Sequence, residues 1–239
     1  MKLPLSIPQF VTIREDAAAF DQVLADLSLT ALKNDLISKT KVVCDALLVD
    51  ANVRTIWQLG SFTEVTPAHI PANMITVATI KNRLAAGNRT FGQTNPAPGG
   101  VGNIVPNRTI DVFPGAYDEP MGGGAFSDTE LDTETQALMI QLESQGVGGD
   151  PALESFAVDV YGRLIGETLA HEIVHALLWD IVIQDGHNDP SINNDIMNSG
   201  SQRTFTQRTG FVDDAHQSPV VPANFSDNGI AAINRLQAL

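Results

Sequence analysis

The segment HEIVHALLWDIVIQDGHND, residues 171–189, constrains this chain more than any other. His171 and His175 stand four positions apart, with Glu172 beside the first. Positions i and i+4 lie on one face of a helix, so both imidazoles reach toward one point. Ile165, Leu169, Ile173 and Leu177 repeat at the same spacing and predict an apolar stripe directed away from the two histidines. A chain with this segment needs a helix that packs one face on a core and lines a cleft with the other.

One helical turn supplies the bite that two zinc–nitrogen bonds of about 2.0–2.1 Å require. Glu172, adjacent to His171, suits a general base acting on a metal-bound water better than it suits a ligand. Three of the five histidines fall within this segment. The plain alternative is a surface helix with two incidental histidines.

The third ligand decides the subclass. No glutamate follows Glu172, which excludes a glutamate ligand from a later helix. In the HExxHxxGxxH or HExxHxxGxxD arrangement a glycine ends the helix and a ligand stands six residues past the second histidine. Here those positions are Leu178 and Ile181, and the next glycine, Gly186, immediately precedes His187. The segment reads as a stretched version in which the helix ends near Trp179, DIVIQD is an inserted loop, and Gly186 turns the chain to present His187. A helix running on to Gln184 would end about 14 Å beyond His175 and forbid this. Asp180, Asp185 and His216 compete for the third position.

Ten residues after His187, the sequence NNDIMNSGS carries Met197. HExxH, a third ligand and a methionine turn together resemble the metzincin clan of zinc peptidases. The resemblance covers roughly residues 171–201, with a further match to a final helix. It implies a two-lobed α+β catalytic domain with a mixed, twisted sheet, an active-site helix and a C-terminal helix. It also implies zinc on His171, His175 and His187, Glu172 as base, and Met197 in a tight turn beneath the metal. The displaced glycine departs from the clan's pattern. So does Ser199, which stands where some members carry a tyrosine. Calcium often stabilises this class of fold, and DTELDTE and NDPSINND are acidic candidates, although neither has the spacing of an EF-hand loop.

The rest of the chain is read from its periodicity. Residues 29–59 show apolar positions every three to four residues, without proline or glycine, and predict a helix. MITVATI, residues 74–80, predicts a strand. AAGNRTFGQTNPAPGGVGNIVPN predicts a long loop with room for a short hairpin, and RTIDVFPGAY a second strand ending near Pro114. GGGAF, residues 122–126, is a candidate edge strand or a glycine loop. As a strand it makes Gly123, Gly124 and Ala125 candidates for backbone pairing with a substrate. A helix is expected from Ser127, with Glu130 completing its capping box and Gly146, Gly148 and Gly149 ending it. Another starts near Ala152 or Arg163 and runs through His175, and a last one is capped by Ser226 or Asp227. The expected fold is α+β, a single domain over residues 1–239 with lobes of about 1–180 and 181–239. The first 25 or so residues are a candidate pro-segment.

A net charge of -14 disfavours nucleic acid and anionic membranes as partners. One cysteine, Cys44, excludes an intrachain disulfide, and its apolar setting predicts a buried thiol. The N-terminus lacks the apolar run and cleavage site of a secretory leader, and no segment has the length of a membrane span. A cytoplasmic protein, or one exported without a cleaved leader, is expected. Arg203, Phe205 and Arg208 in RTFTQRTGF are candidate walls of a specificity pocket, and His69 in TPAHIP is expected on a loop surface. The leading expectation is a zinc endopeptidase acting on protein or peptide. The alternatives are a non-catalytic zinc-stabilised binding module and a deformylase-like enzyme using Cys44 as third ligand.

Overall fold

A computed structural model describes residues 9–16, 18–26, 29–49, 53–70, 75–81, 90–95, 109–114, 141, 149–178 and 208. The elements are β1 (Gln9–Glu15), α1 (Ala19–Asp26), a 3₁₀ turn (Thr30–Leu32), α2 (Lys33–Leu48), β2 (Val53–Leu59), β3 (Phe62–Thr63), β4 (Ile75–Ile80), β5 (Gly92–Asn95), β6 (Thr109–Val112) and α3 (Pro151–Leu178). The fold is mixed α+β. Its described strands form one mixed sheet in the order β3-β2-β1-β4-β6-β5. The four inner strands run parallel, and β3 and β5 run antiparallel at the two ends.

Both long helices lie on the same face of this sheet. Thr55 is in register with Val11, Val11 with Thr76, Ala78 with Ile110, and Ile110 with Thr94. Residues in register, and those two apart on one strand, share a face, so Thr55 and Thr94 point the same way. The Asp45 carboxylate of α2 accepts hydrogen bonds from the Thr55 hydroxyl and from Trp57 Nε1 (3.1 Å), which seats α2 on β2. Glu172 of α3 meets Thr94 of β5. Val11, Ile13, Trp57, Ala78, Ile80, Ile110 and Val112 form the sheet's share of the core, beneath Leu36, Ile37, Cys44 and Leu48 of α2 and Leu164, Ile165 and Leu169 of α3. Thr12, Ile56, Thr79 and Asp111 alternate with these and are also buried. The inner strands are thus shielded on both faces, the usual state of parallel strands.

The helix expected over residues 29–59 ends at Leu48, and Val53–Leu59 is a strand. Val53, Thr55, Ile56 and Trp57 are β-branched or aromatic, and they fit a pleated surface better than a helix. No proline or glycine punctuates this junction, so apolar spacing alone carried the helical reading across it. The N-terminal stretch also differs from expectation. Gln9–Glu15 pairs with β2 on one side and β4 on the other, which makes it an interior strand of the sheet. The strand expected at 74–80 is β4 and the one ending near Pro114 is β6; the long loop supplies one strand, β5, which pairs with β6 beyond the loop rather than folding back within it.

The start of α3 is written in Gly149-Asp150-Pro151. Gly149 adopts φ +80°, a backbone that side chains resist. Asp150 Oδ1 accepts from the amide of Ala152 (2.9 Å) and, more weakly, from that of Leu153 (3.4 Å). Pro151 fills the first turn, where its missing N–H is not needed. Ile165, Leu169 and Ile173 are fully buried, as the apolar stripe requires, but Glu167, Thr168, Glu172 and His175 are buried as well. The helix is therefore enclosed on more sides than a two-faced helix would be. The lobe of residues 181–239, the helix from Ser127 apart from helical Gln141, and the final helix from Ser226 lie outside the described residues. Among the described residues no helix is long and apolar enough to cross a membrane.

Candidate metal centre

On α3 the Nε2 atoms of His171 and His175 stand 2.9 Å apart. Their rings meet edge to face, with centroids 4.4 Å apart and planes at 83°. Two nitrogens at that separation subtend about 90° at an ion about 2.05 Å from each, the compressed end of a tetrahedral site. The pair therefore fits two of the ligands of a zinc ion. Among the described residues no group of three histidine, cysteine or carboxylate side chains converges to complete it. α3 is described to Leu178. His187, its rivals Asp180, Asp185 and His216, and Met197 all lie outside the described residues, as do Gly123, Gly124 and Ala125.

Glu172 is 6% exposed. Its carboxyl oxygen Oε2 lies 2.8 Å from the Thr94 hydroxyl, which also lies 2.9 Å from the Glu172 backbone carbonyl. Burial pushes the Glu172 carboxyl up to about 7, and the Thr94 hydrogen bond and the Arg208 charge pull against it without prevailing. A carboxyl poised there can both accept and release a proton near neutral pH, which general acid–base work demands.

The strand that holds Glu172 is possible because of Gly92. A β-carbon on Gly92 would come within 2.7 Å of Glu172 Cγ, 2.8 Å of its Oε1 and 2.8 Å of Thr168 Cγ2. A larger residue there would force the Glu172 and Thr168 side chains to shift. Neither Gly92 nor Thr94 is conspicuous in the sequence, because GQTN has the composition of a loop. Its role arises from pairing with β6.

Arg208, a candidate pocket wall, is buried against α3. Its Nη2 donates to Thr168 Oγ1 at 2.8 Å, its Nε lies 3.9 Å from Glu167 Oε2, and its guanidinium carbon is 5.5 Å from the Phe91 ring centre. It is buried against α3 and the approach to β5, and its charge is spent on holding these together. Arg203 and Phe205 lie outside the described residues. Cys44 is fully buried in α2, where burial pushes its thiol up, and it forms no metal-binding group with His171 and His175. His69 is exposed in a turn. No protein-family model matches the chain, and no curated protein matches it at a significant level.

Proposed function

We propose that the protein is a zinc-dependent endopeptidase of the metzincin kind, acting on protein or peptide. The observation that carries the proposal is one geometry. Two imidazole nitrogens 2.9 Å apart share a helix with a buried carboxyl, Glu172, which is bonded to the strand that ends the sheet among the described residues. His171, His175 and His187 hold the metal in this reading, and Met197 lies in the turn beneath it. When bound, zinc supplies Lewis acidity that acidifies water and polarises a carbonyl. Glu172 takes the proton from the attacking water and returns it to the leaving amine.

An extended substrate needs backbone partners beside these groups. Among the described residues β5 is the last strand of the sheet and the one touching Glu172, which makes it a candidate for that role beside Gly123, Gly124 and Ala125. A zinc site kept for stability alone would have no use for a buried base, and structural sites are usually closed and cysteine-rich.

Metal analysis and casein cleavage on wild type, Glu172→Ala and His187→Ala test the proposal. Glu172→Ala is expected to retain zinc and lose cleavage by at least about 100-fold, at the low end of what acid–base groups contribute. His187→Ala is expected to bind zinc more weakly. Wild-type protein that neither retains zinc nor cleaves casein would refute the assignment. Undiminished zinc and activity in His187→Ala would move the third ligand to Asp180, Asp185 or His216.

A further inference from the structure

The Thr94 hydroxyl of β5 touches Glu172 twice, and Gly92, two residues earlier on the same face of the strand, leaves room beside the same side chain. Thr94 Oγ1 lies within hydrogen-bond distance of both the side-chain Oε2 and the backbone carbonyl of Glu172, at 2.8 and 2.9 Å. A hydroxyl has one proton, so the two acceptors share it. The second carboxyl oxygen, Oε1, lies beside Gly92, where a β-carbon would come within 2.8 Å of it. The carboxyl is thus held by a β5 donor at Oε2, and Gly92 leaves room for it on the other side. The hydroxyl also fastens the Glu172 backbone, so side chain and main chain are referenced to the same atom of the neighbouring strand.

We infer that Thr94 is a positioning residue for Glu172: the β5 hydroxyl, with the gap at Gly92, fixes the carboxyl of the general base relative to the histidine pair. The inference rests on the proposed peptidase reading for its kinetic consequence and on the geometry alone for its structural one. Glutamate has three side-chain torsions, and a carboxyl left to sample them spends little time in any one orientation. A base displaced by about 1 Å loses on the order of 100-fold in rate, and residues that orient a metal site's working groups from behind typically matter by 10- to 100-fold.

The variants are Thr94→Val, which removes the hydroxyl and keeps the branched shape, and Thr94→Ser, which keeps the hydroxyl. Zinc content is measured on each, and crystal structures of the zinc-loaded forms report the Glu172 side chain. Thr94→Val is expected to keep zinc at the wild-type level and to turn the Glu172 carboxyl away from β5. Its kcat on a peptide substrate is expected to fall about 10- to 100-fold with KM within about threefold. Thr94→Ser is expected to restore both the carboxyl orientation and most of kcat. A Glu172 carboxyl in its original place in Thr94→Val overturns the inference whether or not the protein cleaves peptides. So does an unchanged kcat in Thr94→Val when wild-type cleavage depends on Glu172. Absence of any Glu172-dependent cleavage in zinc-loaded wild type refutes the peptidase reading instead, and the orientation of the carboxyl then decides the inference by itself.

Discussion

At Glu172 the removal of a charge from water outweighs a hydrogen bond and a nearby cation, and the carboxyl rises from 4.5 to about 7. Asp159 on the same helix behaves in the opposite way. Burial pushes it up too, but it is only half-buried, and the Lys39 hydrogen bond and the Arg163 charge hold it below the usual carboxylate range. The sign of each shift is therefore set by how many cations reach the carboxylate and how much water remains. The Glu172 shift carries a stability consequence in the metal-free chain. Between about 4.5 and about 7 the folded protein keeps a proton that the unfolded chain has released. Stability is full below that window and falls as pH rises through it, by on the order of 3 kcal/mol. Denaturation of metal-free wild type and Glu172→Gln at about pH 5 and about pH 8 checks this. The wild type is expected to lose stability relative to the glutamine variant at the higher pH, and an equal difference at both would contradict the burial account.

At the scale of elements, the contact that places the histidine pair is between α2 and α3. A β-carbon on Gly166 would lie 2.8 Å from the Thr40 carbonyl oxygen and 2.9 Å from Val43 Cβ, and one on Gly162 would meet the Lys39 side chain. Glycines one turn apart let the two helix backbones approach closely, since helix separation follows the side chains at the contact. On a solvent-exposed helix, replacing glycine by alanine would gain about 1 kcal/mol in propensity. At Gly166 the obstacle is backbone, which cannot swing aside, and overpacking of about 1–3 kcal/mol should win. Gly166→Ala is accordingly expected to lower the thermal midpoint by a few degrees. A raised midpoint would show that α2 and α3 separate without loss. Such a variant shifts the helix bearing His171 and His175, so weaker zinc binding should accompany the loss of stability.

For the whole molecule the sheet's order matters most. β1 is bonded to β2 along one edge and to β4 along the other, so all six described strands are registered through it or through its neighbours. Its Val11 and Ile13 are fully buried in the core that supports α2 and α3. A chain beginning at Asp16 would expose the facing edges of β2 and β4 and delete these apolar groups. It is expected to show no cooperative unfolding transition by circular dichroism and calorimetry, and to aggregate through the unpaired edges. A cooperative, zinc-binding protein lacking those residues would restore the pro-segment reading.

Elements with local signals were legible before folding is considered. HExxH on a helical repeat, a start of α3 near Ala152, the β-branched run of β4 and the strand before Pro114 all carry their reasons within a few residues. Elements whose stability comes from partners distant in sequence emerge only on folding. Gly92–Asn95 is a strand because β6 pairs with it, Gln9–Glu15 because two strands enclose it, and Val53–Leu59 because the sheet offers its β-branched and aromatic side chains a core. The candidate site divides along the same line. The histidine pair and its glutamate belong to one helix and are visible as a spacing. Thr94, Gly92 and Arg208 act across separations of 78, 80 and 40 residues, respectively, from Glu172 for the first two and from Thr168 for the last. Such contacts leave no local pattern, because neither partner's neighbours change when the fold brings the two together.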